Sequence, residues 1–207
     1  MLAIIQARSN SKRFKNKVLY PIQKKPLIEY VYKRVSKSNK IKKIIVSTSK
    51  NKSDNDLVNF LKKKKITYYR GSLNNVAQRL LHTATKYRSS YFVRISADSP
   101  LIDYKIINKA IGIKQSIKRK FDLITNTFPR SFPKGQSVEI MNTNTLKKNI
   151  KYFSKKQKEH VTLYFYMNSK NFTIKNFSQH KKKLENQAVD TKMDLKRILK
   201  KYKKKFL

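Results

Sequence analysis

Along this chain, short apolar runs of strand length alternate with stretches whose apolar residues recur at helical spacing. Leu2–Gln6 opens as a buried strand, and residues 26–38 follow as a helix with Leu27, Val31 and Val35 on one face. A second strand is expected over 43–48, around Ile44-Ile45-Val46. A helix from Ser53 to about Lys64 follows, with Ser53 and Asp56 spaced as a capping box. Next come a strand over 66–69, a helix over 75–87 packing through Val76, Leu80, Ala84 and Tyr87, and a strand over 91–95; Asp103 is then placed to cap another helix. Strand–helix units in series require crossover connections. They predict a mainly parallel sheet with helices on both faces, a three-layer α/β fold.

Past residue 120 the pattern loosens, and the sheet is expected to turn mixed. Strands are predicted over 121–125, 137–141 and 172–177, a Pro-containing loop over 128–136, and helices over 155–167 and 191–202. In the last helix Thr191 and Asp194 have capping-box spacing. No linker or internal repeat divides the chain, so 1–207 is read as one domain. Lysine runs at 62–65, 181–183 and 203–205 read as solvated helix ends or loops.

Composition modifies this picture in two ways. There are 51 Lys+Arg against 11 Asp+Glu, a formal net charge of +40, which suggests a nucleic-acid or other anionic partner. Yet the cations are 41 Lys and 10 Arg spread over nearly every segment, and Asn and Ile are also in excess, the signature of compositional drift. Nucleic acid is therefore expected to bind only non-specifically, through charge. With 39% hydrophobic residues the chain can bury a core. Cysteine is absent, which excludes a disulfide scaffold, a thiol nucleophile and a Cys-ligated metal site. The apolar start at residues 1–5 is too brief for a signal peptide and no later run has membrane-spanning length, so a soluble, cytoplasmic protein is expected.

In an open α/β sheet, ligands bind beyond the carboxyl ends of the strands. The loop after the first strand carries Arg8, Arg13 and Lys17 among small polar residues, which suits a polyphosphate, although a solvated basic loop has the same composition. The loop after the fourth strand carries Asp98, the first acidic residue for more than forty positions. It is a candidate magnesium ligand or a turn cap. Magnesium takes one or two carboxylates plus substrate phosphates, and Asp190 is the candidate second ligand because Asp194 has a capping duty.

These residues carry a resemblance. Ala3-Ile4-Ile5-Gln6-Ala7-Arg8, Ser11-Lys12-Arg13, Lys17-Val18-Leu19 and Lys25-Pro26-Leu27-Ile28-Glu29 resemble the N-terminal signature of the CMP-sugar synthetases, the cytidylyltransferases of acidic sugars such as acylneuraminate and 3-deoxy-manno-octulosonate. The spore-coat polysaccharide branch is the most similar. The match continues through Tyr69-Arg70-Gly71-Ser72, Val93 to Asp103, Asn126 to Gly135, Val138-Glu139, Glu159-His160-Val161-Thr162 and Val189-Asp190-Thr191, and so spans the chain.

The resemblance implies a nucleotide-diphospho-sugar-transferase-like fold. It also implies transfer of CMP from CTP to an acidic sugar with release of pyrophosphate, dependent on Mg2+, for surface-polysaccharide synthesis, in a homodimer. It assigns Ala7, Arg8, Ser9, Arg13, Lys17, Arg70 and Arg94 to the nucleotide, Asp98 and Asp190 to the metal, and Arg130, Glu139 and His160 to the sugar; Arg8, Arg13, Lys17 and Asp98 are the catalytic set. Asn10 and Phe14-Lys15-Asn16 stand where the family has glycine and Leu-Pro-Gly, and Asn tolerates positive φ. Rival readings are a catalytically impaired relative, a glycosyltransferase of similar fold, and a basic nucleic-acid-binding protein.

Overall fold

The structure is a computed structural model describing residues 1–179 and 185–206; the lysine run at 181–183 lies outside the described residues. The elements in chain order are strand β1 (Leu2–Gln6), a short hairpin of β2 (Pro21–Ile22) and β3 (Lys25–Pro26), helix α1 (Leu27–Ser36), β4 (Lys43–Ser49), α2 (Asn55–Lys63) and β5 (Tyr68–Gly71). Helix α3 (Val76–Lys86), β6 (Tyr91–Ser96), α4 (Tyr104–Ser116), β7 (Leu123–Thr125) and β8 (Glu139–Asn142) follow. The chain continues with α5 (Thr143–Asn149), α6 (Lys155–Glu159), α7 (Leu163–Met167), β9 (Ile174–Asn176) and α8 (Lys192–Tyr202).

Among these residues seven strands form one sheet, in the order β5-β4-β1-β6-β8-β7-β9. The first four are mutually parallel, β8 runs antiparallel to both β6 and β7, and β7 pairs parallel with β9. The sheet is thus mixed from β8 onward, as the loosened pattern predicted. β1 is an interior strand between β4 and β6, buried on both faces, which explains its unbroken apolar run. Ala3 and Ile5 join the core cluster containing Leu27, Val31, Leu57, Ile107 and Leu195, residues of α1, α2, α4 and α8. Leu2 and Ile4 point the other way, into the cluster containing Leu80, Ala84, Leu146 and Phe165, residues of α3, α5 and α7.

Several local expectations shift. The capping box at Ser53 and Asp56 does not form: Asn51 instead accepts the Ser53 amide at 3.0 Å in a short 3-10 turn, and Asp54 turns inward. The third strand falls at Tyr68–Gly71, two residues later than predicted at each end, with Ile66 buried ahead of it. The helix expected over 155–167 breaks in two, because α6 ends at His160 (φ −102°, ψ 73°) and Val161 and Thr162 turn into the core. Helix α5 and the β2–β3 hairpin had no clear apolar period to announce them. The capping boxes at the starts of α6 (Ser154 with Gln157) and α8 (Thr191 with Asp194) are both complete, and Asp103 caps α4 by accepting the Lys105 amide at 2.9 Å.

Candidate active site

Because β1, β4 and β6 are parallel neighbours in register, the loops after β1 and β6 leave the same edge of the sheet. The ladder extends one bond past each strand: the Ala7 amide donates to the Ser47 carbonyl, and the Ala97 amide to the Gln6 carbonyl, both at 3.0 Å. Beyond this edge lies a cavity of about 360 Å3 whose wall includes Ala7, Arg8, Arg13, Lys17, Arg79 and Asp190. A second cavity of about 330 Å3 is bordered by Arg130, Lys134, Glu139 and Tyr166. Arg94, Ser96, Asp98 and His160 face both.

The β1 loop wraps around Ser9, whose carbonyl accepts the amides of Ser11 (2.9 Å) and Asn16 (2.8 Å). The left-handed turn expected of an Asn falls at Asn16 (φ 57°), where the loop meets the 3-10 turn carrying Lys17. Lys17 is then held inward, 12% exposed. Its ammonium lies 3.2 Å from Asp190 and 3.6 Å from Asp98, and it donates to the Val189 carbonyl at 2.8 Å. Arg13 makes a second ion pair with Asp190 at 3.0 Å, and Arg8 pairs with Glu159 at 2.6 Å. Asp190 reaches this place because the Val189 amide donates to the Asp98 carbonyl at 2.8 Å and the Gln187 amide to the Lys134 carbonyl at 2.7 Å.

Asp98 and Asp190 therefore share one ammonium, although ninety-two positions apart in sequence. Among the described residues no group of three or more Asp, Glu, His or Cys side chains is placed so that it could hold a metal ion by itself. Two carboxylates beside a cationic cavity are donors of the kind that would suit a magnesium-like ion, which binds one or two carboxylates together with phosphate oxygens and water.

Deeper in the first cavity, Arg79 is 2% exposed; it donates to the Ser72 carbonyl at 2.5 Å, and its Nε has no partner. Burial draws its pKa down to about 10, against the attraction of Asp54 and with Arg8 adding repulsion, so it stays charged at neutral pH. Spanning the two cavities, Arg94 donates to Gln6 at 2.8 Å and pairs with Glu139. Glu139 in turn accepts the Tyr166 hydroxyl at 2.9 Å, and Thr125 and Thr127 hydroxyls lie 2.9 and 2.8 Å from the same phenol oxygen. Burial first, and the Glu139 charge second, push the Tyr166 pKa above its ordinary value, so the phenol remains a donor.

The structure brings together Ala7, Arg8, Arg13, Lys17, Arg94, Asp98 and Asp190 in the first cavity, and Arg130, Glu139 and His160 around the second. Two expected nucleotide residues lie elsewhere. Arg70 is spent on the β4–α2 connection, donating to the carbonyls of Ser49 (2.8 Å) and Asn51 (3.0 Å) and to Asn55 (2.9 Å). Ser9 is fully buried, and its amide is taken by Asp54 at 2.6 Å. Glu139 is only 5% exposed and holds Arg94 and Tyr166 in place. Arg79 falls on a motif of the resemblance but is given no role by it, and Tyr166 is not singled out from sequence, since one lies on an amphipathic helix and the other among aromatic core residues.

Comparison with known proteins fits this geometry. Residues 2–206 match the cytidylyltransferase family. The chain belongs to that family. A spore coat polysaccharide biosynthesis protein of Bacillus subtilis is 28% identical over 170 residues, covering 79% of this chain and 69% of that protein. The 3-deoxy-manno-octulosonate cytidylyltransferase of Fusobacterium nucleatum is 32% identical over 151 residues, 70% of this chain and 57% of that enzyme. Among solved structures, a cytidylyltransferase from Leptospira borgpetersenii superposes with a TM-score of 0.91 at 26% identity, over 100% of this chain and 89% of that one. This cytidylyltransferase therefore has the α/β nucleotidyltransferase fold, and CTP-dependent nucleotidyl transfer is the activity of its family. Among the described residues no helix is long and apolar enough to cross a membrane.

Proposed function

We propose that this cytidylyltransferase transfers CMP from CTP to a hydroxyl of an acidic sugar and releases pyrophosphate, supplying an activated sugar for surface-polysaccharide synthesis. The observation that carries the reading is the convergence of Asp98 and Asp190 on Lys17, between a cavity rich in Arg and Lys and a second cavity bordered by Arg130 and His160. In the first cavity Arg8, Arg13 and Lys17 bind the triphosphate, and their charge offsets that developing on the pyrophosphate as it leaves. Asp98 and Asp190 would hold a magnesium ion, which would supply Lewis-acid polarisation of the phosphate oxygens. Arg130 takes the sugar carboxylate, and His160, facing both cavities, borders the place where hydroxyl and α-phosphate meet. Holding the two reactants in line across this border accounts for much of the acceleration.

The experiment is pyrophosphate release measured across the four nucleoside triphosphates with acidic and neutral sugars, plus and minus magnesium. CTP with an acidic sugar and magnesium is the expected productive set, and Asp98→Asn is expected to lower its kcat by about a hundredfold or more. Release from all four nucleotides alike, or full activity in Asp98→Asn, would overturn the reading.

A further inference from the structure

Behind the β1 loop lies a carboxylate that the proposed chemistry does not use. Asp54 is 0% exposed and stands in the 3-10 turn between β4 and α2, where its amide donates to the Asn51 carbonyl at 3.0 Å. Its Oδ1 accepts the Ser9 amide at 2.6 Å, and its Oδ2 accepts the Ser49 amide at 3.1 Å and the Ser49 hydroxyl. Both oxygens are thus engaged, by three donors from two segments of chain. An amide side chain cannot replace it, because one of its two ends would present N–H groups to a donor.

The anchored residue is the pivot of the loop. Ser9 gives its amide to Asp54, and its carbonyl gathers the amides of Ser11 and Asn16, so one carboxylate fixes both the entry and the exit of the turn. The loop from Ala7 to Lys17 contains no glycine. Asp54 also lies close enough to Arg79, on the cavity wall, to favour its charged form.

We propose that Asp54 is a positioning residue for nucleotide binding: it pins the β1 loop from behind, so that Arg8, Arg13 and Lys17 face the triphosphate. The inference rests on the nucleotidyl-transfer reading of the cavity. Its mark is a selective loss. Disturbing Asp54 weakens the nucleotide and leaves the second cavity intact.

The test uses the full chain, with CTP as probe. Asp54→Asn is expected to raise the CTP Kd, measured by calorimetry, roughly tenfold or more, with less than about a twofold change in sugar KM. Asp122→Asn is the matched control: Asp122 also accepts an amide (Thr173, 2.8 Å) and a hydroxyl (Thr145, 2.5 Å), but at the start of β7 and bordering neither cavity. It should lower Tm and leave the CTP Kd unchanged. Ser49→Ala removes the hydroxyl donor to Asp54, together with the acceptor of the Asn51 amide (3.2 Å), while keeping the carboxylate, and decides the matter if Asp54→Asn does not fold; about a threefold rise in Kd is expected. Hydrogen exchange at the Ser9 amide, read without nucleotide, should be slow in the parent chain and fast in Asp54→Asn. Parent protein that binds no CTP would sink the nucleotide reading, whereas a Ser9 amide still protected in Asp54→Asn would sink the anchor. Unchanged CTP affinity in both loop variants, or equal weakening in Asp122→Asn, would overturn the positioning role.

Discussion

Arg8 shows how a single residue can be read correctly by type and still act in a way that its sequence position does not reveal. Its guanidinium is bound to Glu159, 151 positions away, and the two side chains are 38% and 46% exposed, so the pair is a partly screened contact at the mouth of the first cavity. In the proposed mode of binding, an incoming phosphate displaces the carboxylate from the cation. Such half-exposed pairs contribute about 0–1 kcal/mol, and that is the scale of the penalty on binding. Glu159→Gln is therefore expected to tighten CTP binding by about two- to fivefold, with the gain shrinking as salt is added; calorimetry at two ionic strengths checks both points. Scarcity is what made the acidic residues legible. In a chain with 11 Asp+Glu against 51 Lys+Arg, Asp98 and Asp190 stood out, and the structure places them together on Lys17. Asp54 escaped notice because Ser53, Asp54 and Asp56 looked like an ordinary helix start, and only the fold reveals that Asp54 turns inward to Ser9.

Among the elements, the segment before α8 matters most, because it carries Asp190 without belonging to the sheet. It is tied down from two sides. On one side, Gly135 (φ 90°) passes so close to Gln187 that a Cβ would stand 2.5 Å from its carbonyl carbon. Gly135→Ala is thus both strained in backbone and overpacked; a loss of roughly 2–4 kcal/mol is expected, and, if Asp190 has the proposed metal role, magnesium affinity should fall more than CTP affinity as Asp190 is pushed away from Asp98. Denaturant melts and a magnesium titration of pyrophosphate release measure the two effects. On the other side, the capping box of α8 brings Asp194 to the amides of Thr191 (2.9 Å) and Asp190 (3.2 Å). Burial pushes the Asp194 carboxyl up, but hydrogen bonds from Thr191, Arg197 and the two amides outweigh it and leave its pKa below the ordinary value. A depressed folded pKa means stabilisation fully present above the unfolded value of about 4 and lost as pH falls through the folded one. Asp194→Asn should therefore lower stability by about 1 kcal/mol at pH 7, and the difference from the parent should close in acid, as melts between pH 7 and pH 3 will register. The Thr191 and Asp194 spacing was readable because capping is local. The break at His160 was not, since it depends on Val161 and Thr162 finding room in the core, and it is this break that sets His160 between the cavities.

At the scale of the molecule, alternation of strands and helices was enough to predict a mainly parallel sheet with two helical layers, because β1 and its neighbours are buried on both faces and require crossovers. The strand order was not predictable: β8 inserts between β6 and β7 through pairings that no local pattern encodes. Net charge had the opposite character, conspicuous in sequence yet loosely connected to the site. Its remaining consequence is kinetic. A chain of formal charge +40 attracts a tetraanionic triphosphate at long range, and this attraction is screened within about 10 Å at 0.1 M salt. It should act on association, because in the proposed mode of binding dissociation depends on short contacts to Arg8, Arg13 and Lys17. Stopped-flow measurement of CTP binding between about 20 and 500 mM NaCl should show the association rate falling about tenfold or more while the dissociation rate changes by less than about threefold. The double variant Lys62→Glu and Lys63→Glu, on the exposed end of α2 and bordering neither cavity, tests the same idea at fixed salt. It lowers the net charge by four units without touching the contacts, so association should slow by up to about twofold with dissociation unaltered. Should the salt dependence reside in dissociation instead, the lysine-rich surface would have no part in capture, and the local cations alone would account for nucleotide binding.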